Sequence, residues 1–154
     1  MADWTQPLHP LVVHLPIGLL VSAAVVDVAG LAAPARPALR RAATGLYLAG
    51  AATLVAAYLT GRADAGALRI PGPAHAIVDE HWTWAWRTTV FFCALAAGRL
   101  ALVLASPSTG HRVPVRLLLA AAGVLGLMLL FQTAERGGRL VYEHGVGVAA
   151  PRGR

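Results

Sequence analysis

The side chains with the clearest capacity for chemistry in this sequence are its histidines, because imidazoles ligate haem iron and divalent metals at neutral pH. Two lie at the start of the first apolar segment, two at the start of the third and one beyond the fourth. These five are His9, His14, His75, His81 and His144. A four-span topology places all five on one side of a membrane and only His111 on the other.

His14 and His81 are predicted to lie at similar depth, just inside one membrane interface. His14 follows Pro10 by four residues, or about 6 Å of helix, and His81 adjoins a Trp-rich segment typical of an interface. His9 and His14 are five residues apart, about 140° around a regular helix, so both cannot face one neighbour. We expect His14 to face inward.

Three roles fit this histidine pair. Two imidazoles at one depth on two helices suit axial ligation of haem iron by His14 and His81, with His144 as an alternative ligand or a partner of a haem propionate. They also suit a divalent metal with a carboxylate nearby. The available carboxylates are Asp64, Asp79, Glu80 and Glu143. In the structural role, His14 hydrogen-bonds across the bundle and His81 lies among the headgroups.

Asp27 and Arg99 form a second polar pair, deep in the first and third apolar segments and towards the end opposite the histidines. An unpaired charge inside a membrane is costly, so a mutual ion pair with a structural role is predicted. The alternative for Arg99 is that its side chain extends to the nearby interface.

The composition is that of a membrane protein. Apolar residues make up 57% of the 154 residues and charged residues only 13%, whereas a soluble domain has about 25% charged residues. The net charge of +6 results from 13 Arg against 7 Asp and Glu, and most of the Arg lie in the links and tail, a pattern that favours a membrane surface over nucleic acid. The single cysteine, Cys93, excludes an internal disulfide and Cys-based metal sites.

The apolar segments predict an all-α fold: one integral membrane four-helix bundle with both termini on the same side. The spans are about 11–33, 42–61, 82–105 and 117–134, followed by a tail at 137–154. Thr60-Gly61 is predicted to end the second span, with a loop at 62–74, and Gly137-Gly138 is predicted to end the fourth.

One face of the second span carries small residues at intervals of four, which permits close approach of another helix, in the bundle or in a partner protein. This face consists of Gly45, Ala49, Thr53, Ala57 and Gly61. The links after spans one and three are Arg-rich, so the positive-inside rule places both termini outside the cytoplasmic membrane.

The tail is predicted to turn back at the membrane surface after Gly137-Gly138, with Leu140, Val141 and Tyr142 in the interface. This would bring His144 near His14 and His81. Residues 149–154 are expected to be loose.

Several motifs resemble a bacterial membrane family catalogued as domain of unknown function 2231. They are residues 9–18 (HPLVVHLPIG), residues 137–148 (GGRLVYEHGVGV), Thr60-Gly61 and the run Asp79-Glu80-His81. The resemblance covers nearly the whole chain and implies a four-helix membrane protein without a settled activity. Carried over by motif, the positions of interest are His9, His14, His81 and His144.

The leading functional hypothesis is a small bacterial electron-transfer protein of the cytoplasmic membrane that holds haem b near its outer interface. Its partners would be the lipid bilayer and a membrane redox protein or quinone, with no nucleic acid. The alternative is a non-catalytic membrane subunit or small transport protein whose histidines bind a divalent metal or are structural. In neither case is the chain expected to be an enzyme by itself.

Overall fold

A computed structural model describes residues 8–68, 70–105 and 112–148 of the chain. In these ranges the chain forms five α-helices joined by short turns. They are α1 (His9–Val12), α2 (His14–Ala32), α3 (Pro37–Ala67), α4 (His75–Ala105) and α5 (Val113–Tyr142), with a 3-10 turn at Gly72–Ala74 before α4. Only Val13 separates α1 from α2, and together they make the first span.

The four long helices pack in a closed ring. α2 contacts α3 and α5, and α4 contacts the same two neighbours. Each span is long and apolar enough to cross a membrane. The 31 residues of α3 extend about 46 Å, against a hydrocarbon layer of about 30 Å, so the helix ends reach the headgroup layers. The predicted all-α four-helix membrane bundle is confirmed.

The centre of the bundle combines small residues with a few large ones. Tyr47 stacks on Phe92 with ring centroids 6.3 Å apart, and both are fully buried. Gly123 and Gly126 of α5 lie against these two rings. A side chain at either position would occupy the space of the aromatic atoms. Large apolar side chains instead face outward, and Phe131 is 69% exposed, as a lipid-facing surface requires.

Two predicted helix ends were wrong. α3 continues through Thr60-Gly61 to Ala67, where a loop was expected, and α5 continues through Gly137-Gly138 to Tyr142. A glycine inside a helix costs only about 1 kcal/mol relative to alanine, which packing against the missing side chain can offset.

The turn of the tail lies further along the chain than predicted. Gly145 adopts a left-handed conformation with φ of 63°, and its N–H donates to the Val141 carbonyl, which ends α5. Tyr142 is 90% exposed at the last helical residue. Residues 149–154 lie outside the described ranges.

The small-residue face of α3 is divided between the bundle interior and its surface. Ala57 is buried and Gly61 contacts His9, whereas Gly45 and Ala49 are exposed. A helix-packing partner for the exposed half stays a prediction.

The predicted pair of Asp27 and Arg99 is confirmed. The Arg99 guanidinium donates to both Asp27 carboxylate oxygens at 2.6 and 2.8 Å, and it lies over the Tyr47 ring. Arg99 is only 2% exposed, so it does not extend to the interface. The pair joins α2 to α4, two helices that do not follow one another in the chain.

Substituting Gly126 should destabilise the bundle, since an alanine Cβ would lie 2.6 Å from the Phe92 ring and 2.9 Å from Phe91. We expect Gly126→Ala to lose about 1–3 kcal/mol from overpacking. Gly98→Ala on α4 is the matched control, because no atom in the described part of the chain lies within 4 Å of its added Cβ. Thermal unfolding in detergent measures both, and equal midpoints would contradict this packing.

Removing one partner of the buried ion pair should cost more than removing both. Asp27→Asn leaves the Arg99 charge unpaired and should destabilise the protein by roughly 3–5 kcal/mol, whereas Asp27→Leu with Arg99→Met should recover most of that loss. Glu143→Gln, which breaks an exposed pair with Arg139, serves as control and should cost less than about 1 kcal/mol. The free energies of unfolding are measured in detergent. If the loss in the double variant equals the sum of the losses in the single variants, Asp27 and Arg99 are not directly coupled.

Candidate histidine site

His9 binds the bundle through α3. Its ring Nδ1 lies 2.8 Å from the Ala57 carbonyl oxygen, and its backbone N–H donates to the Asp64 carboxylate at 2.8 Å. Gly61 makes room for the ring, because a Cβ there would lie 3.0 Å from Nδ1. The start of the first span is thereby fixed to the end of the second.

His81 binds α5 in the same manner. Its ring Nδ1 lies 3.0 Å from the Thr133 carbonyl oxygen, and a Cβ at Gly137 would lie 3.2 Å from its Cε1. The Thr133 hydroxyl also bonds Thr88 at 2.8 Å, which adds a second link between α4 and α5. The start of the third span is therefore fixed to the end of the fourth.

The two rings meet between these helix pairs. The centroids of His9 and His81 lie 6.4 Å apart with an interplanar angle of 80°. A carbonyl oxygen can only accept a hydrogen bond, so Nδ1 carries the proton in both rings. In the neutral form each Nε2 then bears the lone pair, as in metal-ligating histidines whose other nitrogen is held by a carbonyl.

His14 does not face the bundle interior, and the expectation that it would was wrong. Its side chain is exposed, and its Nδ1 bonds the Pro10 carbonyl of its own helix at 2.8 Å. His9 and His14 point in different directions, as their spacing requires. His9 is the one that faces the bundle, because Gly61 leaves space for its ring and the Ala57 carbonyl accepts its hydrogen bond. The structure therefore brings His9, and not His14, to His81.

The other histidines are placed differently. His75 is exposed at the start of α4. His144 is half-buried in the turn after α5, and its predicted proximity to His81 stays a prediction. His111 lies outside the described residues.

Charged groups near the pair are mostly engaged with one another. Arg136 bonds Glu80 at 3.1 Å and the Gln132 side chain at 2.7 Å, while Arg139 bonds Glu143 at 3.2 Å. Within residues 8–68, 70–105 and 112–148, no three His, Cys, Asp or Glu side chains are grouped as a metal site. In the described part of the chain, the pair therefore lies without a third such side chain grouped beside it.

Aromatic rings and arginines surround this end of the bundle, which supports the predicted interfacial belt. Tyr58 contacts the rings of Trp82 and Trp86, each with a centroid distance of 5.8 Å. The Arg62 guanidinium lies 5.4 Å from the Trp82 centroid, and that of Arg136 lies 5.0 Å from Trp84. This clustering is typical of a membrane interface.

Sequence reasoning overlooked the groups that hold the imidazoles. Ala57 and Thr133 each lie four residues before a glycine, so the glycine leaves the carbonyl of the preceding turn open to a neighbouring side chain. The available signal was a glycine inside an apolar helix opposite a histidine near the start of another span.

Comparison with known proteins gives one family. The model of the family described as "Predicted membrane protein (DUF2231)" matches residues 5–150. No curated protein and no solved structure matches the chain.

The positions of the two rings can be tested by imidazole ¹⁵N NMR at alkaline pH, where the rings are neutral. We expect Nδ1–H signals for His9 and His81. Gly61→Val should shift only the His9 signal and Gly137→Val only that of His81, because each new side chain displaces one ring. Gly66→Val is the control, since no atom of the described residues lies within 4 Å of its added Cβ. Nε2–H tautomers at both histidines would contradict the assignment.

Proposed function

Because this chain belongs to the DUF2231 family of predicted membrane proteins, a description that assigns no activity, we propose its function from the histidine site. The chain is a multi-pass membrane protein. Its proposed role is electron transfer through a haem b bound between His9 and His81, at one end of the four-helix bundle.

The observation that carries the proposal is the pairing of two carbonyl-anchored imidazoles from different helix pairs. The two ring centroids lie 6.4 Å apart, and each Nδ1 is held by a backbone carbonyl. The Nε2 atoms of His9 and His81 would therefore be the groups that hold the haem iron.

The number of protein ligands favours haem iron over a divalent cation. Haem needs only axial ligands from the protein because the macrocycle supplies four nitrogens, whereas zinc takes three or four protein ligands. His9 and His81 are a sufficient axial set. Bound haem would supply a one-electron couple.

The chain's own groups would hold and tune these ligands. The Ala57 and Thr133 carbonyls accept the Nδ1 protons, which fixes each ring and increases the basicity of its Nε2. The rings of Trp82 and Tyr58 lie in contact at this end of the bundle. His144, in the turn after α5, is proposed to pair with a haem propionate.

The proposed location is the bacterial cytoplasmic membrane with both termini outside. Arg36, Arg40 and Arg41 after the first span and Arg116 at the start of the fourth support this orientation through the positive-inside rule. The histidine site would then lie at the outer interface. A membrane redox protein or a quinone would exchange electrons with it.

A second candidate role rests on the same histidine pair. The two imidazoles would bind a divalent metal in a non-catalytic subunit or small transport protein. In the structural alternative, His9 holds the first span to the second and His81 holds the third span to the fourth.

Absorption spectroscopy with metal analysis on protein from haem-replete cells tests the proposal. We expect a Soret band that shifts on dithionite reduction, with iron at one per chain. His9→Gln and His81→Gln should each abolish or shift the band, because each removes an axial ligand. His14→Gln is the matched control, as its exposed ring also bonds a carbonyl but faces away from the pair.

Other outcomes separate the candidates. Colourless protein that does not bind haem on titration excludes the haem role, and one bound divalent metal lost in both pair variants then supports the metal role. A band lost in His14→Gln and retained in His9→Gln would return the ligand role to His14.

A further inference from the structure

Two adjoining cavities lie at the end of the bundle opposite the histidine site. The first has a volume of about 180 Å³ and the second about 210 Å³, and both are lined by Arg40, Arg99 and Leu119. A cavity of about 150 Å³ accommodates benzene, so either has room for a group of several heavy atoms. Arg99 lies 18 residues after His81, which places the cavities about 27 Å from that ring along α4.

The lining is strongly cationic. Its charged residues are Asp27, Arg36, Arg40, Arg41, Arg99 and Arg116. The only carboxylate among them, Asp27, already receives two hydrogen bonds from Arg99. Arg99 is almost completely buried, and its Nε has no hydrogen-bond partner within the described part of the chain. Arg116 donates to the Gly30 carbonyl, a neutral acceptor.

Two helix N-termini add positive potential at the same place. α3 begins at Pro37 and α5 at Val113, and both residues line the first cavity. Neither helix has an acidic residue in its first turn or a side-chain cap. Arg116 occupies the fourth position of α5, where the helix dipole disfavours a cation. An anion in the cavity would offset this repulsion.

We propose that this cavity, here called the arginine pocket, binds a phosphate group, and that its source is the headgroup of an anionic phospholipid. Guanidinium groups match phosphate geometry through paired N–H donors. The exposed rim residues Arg36 and Pro37 lie at a helix end of a membrane-spanning bundle, where headgroups are found. Basic pockets between transmembrane helices are typical of such lipid sites.

The site is independent of the histidine proposal, because the two lie at opposite ends of the bundle. The bound lipid would bridge the start of α3, the start of α5 and the end of α2, whose Gly30 and Leu31 also line the first cavity. We therefore expect the protein to retain anionic phospholipids more strongly than neutral ones.

Native mass spectrometry of the protein from bilayers of equal phosphatidylglycerol and phosphatidylcholine tests the proposal. Wild-type protein should retain phosphatidylglycerol preferentially. Arg36→Gln and Arg116→Gln should each reduce that preference about fivefold, the effect of one arginine near an anionic surface. Arg36 is exposed, so its variant should fold even if the half-buried Arg116 variant does not. Arg139→Gln on the same helix as Arg116 is the control at the opposite end.

Inorganic phosphate provides the second arm. If millimolar phosphate does not displace the retained phosphatidylglycerol, the lipid headgroup is the source of the phosphate group. If the protein binds inorganic phosphate but retains the two lipids equally, free phosphate is the ligand of the same site. The proposal is overturned if wild type retains both lipids equally and binds no phosphate, or if Arg36→Gln and Arg116→Gln match wild type in both arms.

Discussion

The structure depends on one constraint: inside a hydrocarbon layer, each polar group must find its partner within the protein. Asp27 and Arg99 form an ion pair across two helices, and the imidazoles of His9 and His81 donate to carbonyls of neighbouring helices. The imidazole contacts hold the two helices of each sequential pair together, and the ion pair joins these two pairs across the bundle. Van der Waals packing alone supplies little preference between a neighbouring helix and lipid, so these polar contacts add specificity to the packing.

Glycine and alanine make these polar contacts possible. Gly61 and Gly137 leave space for an imidazole to reach a backbone carbonyl, and Gly123 leaves space for Tyr47 beneath Arg99. The lack of a side chain also explains why Thr60-Gly61 and Gly137-Gly138 were predicted as helix ends. A glycine next to polar residues is a frequent helix end, and only the presence of a ring from another helix distinguishes the two cases.

Spans and depths were predictable because they depend on local quantities. Long apolar runs specify four helices, and the position of Asp27 and Arg99 within those runs requires a partner at the same depth. The choice of His9 over His14 depended on α1, which directs His9 towards an open carbonyl on α3. That carbonyl is identified only when the packing of α3 is known, so the rotation of the first span could not be derived from spacing alone.

The chain is organised as two helical hairpins with pseudo-twofold correspondence. In each hairpin a histidine at the beginning donates to a carbonyl four residues before a glycine near the end, and a charged residue follows the histidine by 18 positions. The charges are opposite, Asp27 in one hairpin and Arg99 in the other, so the ion pair joins the two hairpins directly. Because both histidines lie at one end, the two hairpins run in the same direction along the bundle. The opposite charges allow each half to pair with the other, whereas two copies of the same half would bring like charges together.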